Sequence, residues 1–166
     1  MASSKESKEV SVLNPKMQEL LDCIEESDAK VIVYHKFVEE GRMIEATLEK
    51  AGIEYRSLRG EIPDKEREVK DFKTDKKVRV LVAHPQSGGE GQNLQAASVV
   101  VFYSMPWGLI PYEQCKGRIY RHGQTEKCVF IFLVGRNTID EEVLESLVKK
   151  QDLAKSVFSY IRRGGK

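Results

Sequence analysis

The stretch Val80-Leu-Val-Ala-His-Pro-Gln-Ser-Gly-Gly-Glu-Gly-Gln-Asn-Leu94 decides the fold of this chain. Its first four residues form a continuous apolar run, the pattern of a strand covered on both faces. The run opens directly into a loop holding Gly88, Gly89 and Gly91. Open α/β sheets place ligands at that carboxyl edge, and glycines there let backbone amides come close to a phosphate. Gln86, Ser87, Gln92 and Asn93 add neutral hydrogen-bonding groups. A tight strand-to-helix turn without a ligand is the plainer reading of the same residues.

Outward from this stretch, residues 31–34, 78–83, 98–103 and 128–134 are β-rich runs without clean alternation, and 54–58 is a weaker fifth. Helical spacing lies between them. Met17, Leu20, Leu21 and Ile24 repeat on one face, as do Met43, Ile44, Leu48 and Ala51. A third helix is predicted near 63–72, with Pro63 suited to its first turn. Strands alternating with helices imply a parallel sheet wound by right-handed crossovers. Thr138-Ile139-Asp140-Glu141 has the form of a capping box ahead of the stripe Val143, Leu144, Leu147 and Val148. A second helical run follows at 153–161. The expectation is a flexible segment over 1–12 and one domain over 13–166. That domain is a three-layer α/β lobe with a mostly parallel sheet, helices on both faces and a C-terminal helical extension.

Charge is nearly balanced, with 27 Lys plus Arg against 26 Asp plus Glu. Nucleic-acid binding therefore needs a local patch. Candidates are Lys73, Lys76, Lys77 and Arg79, or Arg118 and Arg121, or Arg162, Arg163 and Lys166; the first and last groups read more simply as solvated faces. Cys23, Cys115 and Cys128 have neither a disulfide nor a zinc spacing and suit a reducing, intracellular setting. No run approaches the roughly 18 apolar residues of a membrane span, so no membrane partner is expected. The Ser/Lys/Glu-rich first ten residues lack the apolar core of a secretory signal.

Much chemistry has no counterpart here. A phosphate loop needs G-x-x-x-x-G-K-[ST], and nothing matches. Asp140-Glu141-Glu142 follows a capping threonine, so it reads as a helix N-terminus rather than a magnesium motif. His35, His84 and His122 are far apart, no residue sits in a nucleophile turn, and no metal site is expected.

The second informative segment is Gln114-Cys-Lys-Gly-Arg-Ile-Tyr-Arg-His-Gly-Gln124. Arg118 and Arg121 stand three apart, so on a helix they share a face, and Gly123 then ends it. Guanidinium groups hold phosphate oxygens bidentately and stay charged, which suits phosphoryl transfer.

At these residues the chain resembles the second RecA-like lobe, the helicase C-terminal domain, of Swi/Snf-type DNA-dependent ATPases in helicase superfamily two. The resemblance runs from about Lys16 to Lys155. Val31-Ile-Val-Tyr-His-Lys-Phe37 resembles the lobe's first strand, and Leu58-Arg-Gly60 with Arg67 and Phe72 its "G … R … F" stretch. Gly88 to Leu94 resembles motif V. Gln114 to Gln124 resembles motif VI, with Trp107 ahead of it as in the family, and Thr138 to Glu141 resembles the segment after the last strand.

That resemblance implies that Arg118 and Arg121 are arginine fingers acting on ATP held by another lobe. Gly89, Gly91, Gln114 and Gln124 would line the ATP cleft and couple it. Gln86, Ser87, Gly88, Asn93 and Trp107 would contact nucleic acid. ATP and Mg2+ would be bound mainly by an N-terminal RecA-like lobe, with double-stranded DNA as the other partner, and this lobe alone would be inactive as an ATPase. Pro85, Ser104 and Gly108 depart from the family's usual Ser/Thr, Asp and Asn. These departures resemble compact bacterial or phage members, implying a cytoplasmic rather than nuclear protein. The alternatives still open are an RNA-helicase C-terminal lobe, a stand-alone DNA- or protein-binding module, and a single-domain small-molecule binder.

Overall fold

β1 (Lys30–Tyr34) runs through the middle of the sheet because its residues are apolar toward both faces. This computed structural model describes residues 14–87 and 92–162, and the expected loose segment at 1–12 lies outside them. The remaining elements are α1 (Pro15–Glu25), α2 (Val38–Lys50), β2 (Tyr55–Leu58), α3 (Lys65–Thr74), β3 (Val80–Ala83), β4 (Ala97–Phe102), α4 (Leu109–Gly117), β5 (Val129–Phe132) and α5 (Ile139–Arg162). The strand order is β2-β3-β1-β4-β5. Every neighbouring pair is parallel, so the mostly parallel sheet expected is parallel throughout the described strands.

Alternation along the strands divides the interior into two cores. Val31, Val33, Val80, Val82 and Val101 face α1 and α2, meeting Met17, Leu20, Ile24, Ile44 and Leu48. Ile32, Tyr34, Leu81 and Phe102 face the other way, meeting Val69 and Phe72 of α3, Tyr112 and Cys115 of α4, and Leu147 of α5. Full burial of each such side chain contributes about 1.5–3 kcal/mol, and these three layers are where that stabilisation sits. The chain leaves β1 over one face through α2 and returns from β2 over the other through α3, as right-handed crossovers require.

Helix ends follow local chemistry. Asn14 Oδ1 accepts the Met17 N–H at 2.8 Å, with Pro15 at the first helical position. Asp64 Oδ1 accepts the Arg67 N–H at 3.0 Å, so Asp64 caps α3 and Pro63 precedes the cap instead of opening the helix. At α5 the Thr138 hydroxyl accepts from Asp140 N–H at 3.3 Å and donates to Gly135 O at 2.7 Å. Asp140 accepts the Gly135 N–H at 3.1 Å and pairs with Lys16 at 2.7 Å, fastening the start of α1 to the start of α5. The two helical runs expected at the C-terminus are one continuous helix, because neither Gly nor Pro interrupts residues 139–162. Among the described residues no helix is long and apolar enough to cross a membrane.

Candidate functional site

Because the chain leaves β1 toward β2 on one side and later fills β4 and β5 on the other, the sheet's switch point lies at the carboxyl end of β1. Three loops converge there: residues 35–37 after β1, 84–87 after β3 and 103–108 after β4. Hydrogen bonds set their mutual positions. Lys36 N–H donates to Ser104 Oγ at 2.7 Å, the Ser104 hydroxyl donates to the Glu40 carboxylate, and Phe37 N–H donates to the same carboxylate at 3.2 Å. Ser104, where the family usually carries Asp, thus ties the first loop to the third.

That tie presents a cation on an aromatic face. Lys36 Nζ lies 2.9 Å from the centre of the Trp107 ring and 5.6 Å from that of Phe37. Trp107 is nevertheless 57 % exposed. A cavity of about 270 Å³ opens beside them, lined by Lys36, His84, Gln86, Pro106 and Trp107 among others. Behind it His35 is buried, its Nδ1 2.9 Å from Phe37 O and its ring edge-on to His84 at 6.0 Å. Burial lowers its pKa, with His84 and Arg59 pushing the same way and the Phe37 carbonyl and Glu40 opposing. Gly41 is needed for this seat, since a Cβ there would stand 2.6 Å from the His35 ring.

The arginine segment differs from the expected arrangement. α4 ends at Gly117, with Arg118 as its C-cap and Arg121 in the turn beyond, so the pair does not share a helix face. The reason is tertiary: Arg118 O accepts the Leu94 N–H at 2.9 Å, which ties the backbone to Leu94 instead of carrying it onward into helix. Gly123 adopts a left-handed φ of 98° within this turn, where a side chain is disfavoured. Arg118 is 8 % exposed and donates from Nη1 to Ser87 O at a long 3.5 Å, whereas Arg121 is exposed.

The two informative segments are stapled together. Gln124 Nε2 donates to Gln95 O at 3.3 Å and Ala97 O at 3.2 Å, and Gln95 Nε2 donates to His122 O at 2.9 Å. Asn93 bonds Gln95 Oε1 at 2.9 Å, and Gln86 N–H meets His84 Nδ1 at 3.2 Å. Gln114 is exposed on α4, Ser87 is buried, and Gly88, Gly89 and Gly91 lie outside the described residues. Of the basic patches, Arg79 is committed elsewhere, donating to the carbonyls of Ile24 at 3.0 Å and of Ser27, while Lys73, Lys76 and Lys77 are exposed. Arg163 and Lys166 lie outside the described residues. The sequence gives Lys36 no role; its one local signal is its place between His35 and Phe37 at a strand's carboxyl end. Among the described residues no group of three or more His, Cys, Asp or Glu could hold a metal ion.

Known proteins resemble this chain in sequence and in fold. The family model described as helicase conserved C-terminal domain matches residues 15–123. Protein CHROMATIN REMODELING 19 of Arabidopsis thaliana is 29% identical over 136 residues, covering 81% of this chain and 18% of that protein. The chromatin-remodeling ATPase INO80 of Candida albicans is 28% identical over 144 residues, covering 86% and 10%. The uncharacterized ATP-dependent helicase YqhH of Bacillus subtilis is 33% identical over 148 residues, covering 87% and 26%. The C-terminal part of the Fun30 ATPase domain superposes with a TM-score of 0.72 at 22% identity, over 79% of this chain and 43% of that one. The chain belongs to the helicase conserved C-terminal domain family, as the second RecA-like lobe of a Swi/Snf-type helicase of superfamily two.

The chain spans between about a tenth and a quarter of these curated relatives. The expectation of a bacterial or phage, cytoplasmic protein is corrected by the same comparison. A plant and a fungal chromatin-remodeling protein stand among its relatives, as does the helicase SWR1 of Cryptococcus neoformans at 30% identity. Pro85, Ser104 and Gly108 are therefore no ground for a bacterial or phage assignment. Ser104 in particular keeps a hydrogen-bonding role at its loop.

Proposed function

We propose that this chain is the second motor lobe of a DNA-stimulated ATPase that translocates along duplex DNA, supplying arginines to ATP held on a phosphate-loop lobe. The observation that carries this reading is the nearly buried Arg118 guanidinium, which pairs with no carboxylate among the described residues. A buried cation without a counter-ion is costly, and a polyphosphate docked against the lip would supply one. ATP supplies the scissile phosphoanhydride, and these residues fit its negative charge. They offer no acidic cluster for Mg2+, whose ligands belong to the other lobe and to the nucleotide.

Each part of the site then has a task. Arg121, exposed beyond the helix end, reaches across the cleft as one finger, and Arg118 serves as the other from the lip. Arginine fingers are worth roughly 10³–10⁵ in rate because a planar, permanently charged fork meets charge that develops on the phosphoryl oxygens. Gly89, Gly91, Gln114 and Gln124 line and couple this cleft, with Gln124 stapling the two segments so that movement of one moves the other. Gln86, Ser87, Gly88, Asn93 and Trp107 form the nucleic-acid track, to which Lys36 adds a positive charge held on the Trp107 ring.

Joining this chain to a phosphate-loop lobe tests the reading. DNA-stimulated phosphate release is expected from the joined protein and from neither part alone. A protein that binds DNA equally well joined or apart, with no turnover, would be a stand-alone binding module.

A further inference from the structure

α5 enters the core through Leu147 and then runs on beyond it, so that Leu153, Val157 and Phe158 are exposed. Its second half lies beside α4, tied there by Gln151, whose Nε2 donates to Glu113 Oε1 at 2.6 Å. Between the two helices opens a groove of about 640 Å³, floored by Leu109, Ile110, Ala154 and Phe158. Lys155 and Phe158 also line a second cavity of about 510 Å³ that reaches Arg162, so the groove continues along α5 to the helix end. Ile110 is 73 % exposed and Phe158 66 %. Large apolar side chains scattered singly are ordinary surface, but gathered along one groove they mark a docking site.

Charge decides what fits there. Among the described residues lining the groove Glu113 is the one carboxylate, and Gln151 and Lys116, at 3.6 Å, already match it. The cations along the rim are not matched in that way. Lys155 reaches Asp152 only at 4.0 Å with both side chains exposed, a pair that contributes little. Arg162 pairs with no carboxylate among the described residues. An apolar floor under a positive rim complements a helix whose apolar stripe is flanked by Asp and Glu. Duplex DNA would meet the charge of the rim and leave the floor unfilled. A bilayer takes up an outward apolar face, whereas this floor lies between two helices.

We infer that the groove between α4 and α5 is a docking site for an acidic amphipathic helix of a partner protein. Arg118, Arg121 and the glycine loop take no part in it, and Gln114 on its wall does not carry it, so the inference stands apart from the motor reading.

The probe is a labelled helical peptide of about 16 residues, with leucines at i, i+3, i+4 and i+7 and glutamates on its flanks, titrated against this chain by fluorescence anisotropy. Its counterpart with lysines in place of the glutamates runs alongside. The glutamate peptide is expected to bind with roughly micromolar affinity that weakens as salt rises, and the lysine peptide about tenfold more weakly. Ile110→Ser and Phe158→Ser should each weaken binding of the glutamate peptide by about tenfold, and Lys155→Glu combined with Arg162→Glu by about the same factor. Leu153→Ser removes an equally exposed apolar side chain that does not line the groove, and should change nothing. All five positions are exposed, so Tm is expected to hold in every variant. No binding, equal affinity for the two peptides, or an equal loss with Leu153→Ser would overturn the inference. Self-association of the chain that Phe158→Ser abolishes would give the groove to a second copy, and Phe158-dependent binding of anionic lipid vesicles without peptide binding would give it to a membrane; either result sinks it.

Discussion

Lys36 and Trp107 meet face-on, the ammonium 2.9 Å from the ring centre, across two loops that follow different strands. Burial lowers the pKa of Lys36, with Glu40 opposing. The ring carries the cation from below and leaves its own outer surface open to solvent, a surface suited to a sugar–phosphate backbone.

The isolated chain is therefore expected to bind duplex DNA weakly, with steep loss between low and physiological salt and little sequence preference. Lys36→Ala should weaken binding several-fold and reduce the salt slope by about one unit, since one phosphate contact is lost. Trp107 is the chain's one tryptophan, so its fluorescence should change on DNA addition. Anisotropy titrations at several salt concentrations provide the check. Tight, sequence-specific binding at physiological salt would contradict a motor track.

No ATP turnover above background is expected from the chain alone, with or without DNA. No segment here matches the phosphate loop that would give ATP an amide cradle and a lysine. Phosphate release from highly purified protein decides the matter. DNA-stimulated turnover abolished by Arg121→Ala would show a complete active site in this chain.

In the joined motor, Ala or Lys at Arg118 or Arg121 should cut kcat by about 10²-fold or more while sparing DNA affinity. Lysine fails because a point charge cannot reproduce the guanidinium fork. Loss confined to the transition state appears in kcat more than in ATP binding. The two sites should differ in stability: Arg118→Ala removes a nearly buried side chain and should lower the Tm more than Arg121→Ala at its exposed position does. Single-turnover kinetics and thermal melts on the same four variants separate catalysis from folding.

His35 should make stability depend on pH. Its folded pKa lies below the unfolded value of about 6.5, so above that pH both states are neutral and the full stability is present. As pH falls below about 6.5 the unfolded chain takes a proton that the folded one resists, and stability declines until the folded pKa is reached. His35→Asn retains an N–H for the Phe37 carbonyl and cannot titrate. Its Tm is expected to start lower and to fall less steeply between pH 7.5 and pH 5.5, as differential scanning fluorimetry would report. Parallel slopes for the two proteins would assign the pH dependence to other groups.

Four strands lie where apolar runs mark them and β2 at the weaker run over 54–58, and the loops after β3 and α4 carry the residues singled out for phosphate chemistry. This was legible because strand burial and loop chemistry are written locally: Val80–Ala83 is apolar on both sides of the pleat whatever surrounds it. The parallel sheet and its helical layers follow from the same alternation.

What the tertiary structure alone decided are the relationships between segments far apart in the chain. Residues 118 and 121 have helical spacing, yet Leu94 takes the Arg118 carbonyl and the helix stops at Gly117. Arg79 sits in a basic run, yet the carbonyls ending α1 claim it. The strand order and the Lys36–Trp107 contact likewise have no local signature. Periodicity reports which way a side chain faces along its own element; its partner depends on how the elements stack, and a buried polar group takes the partner that stacking brings.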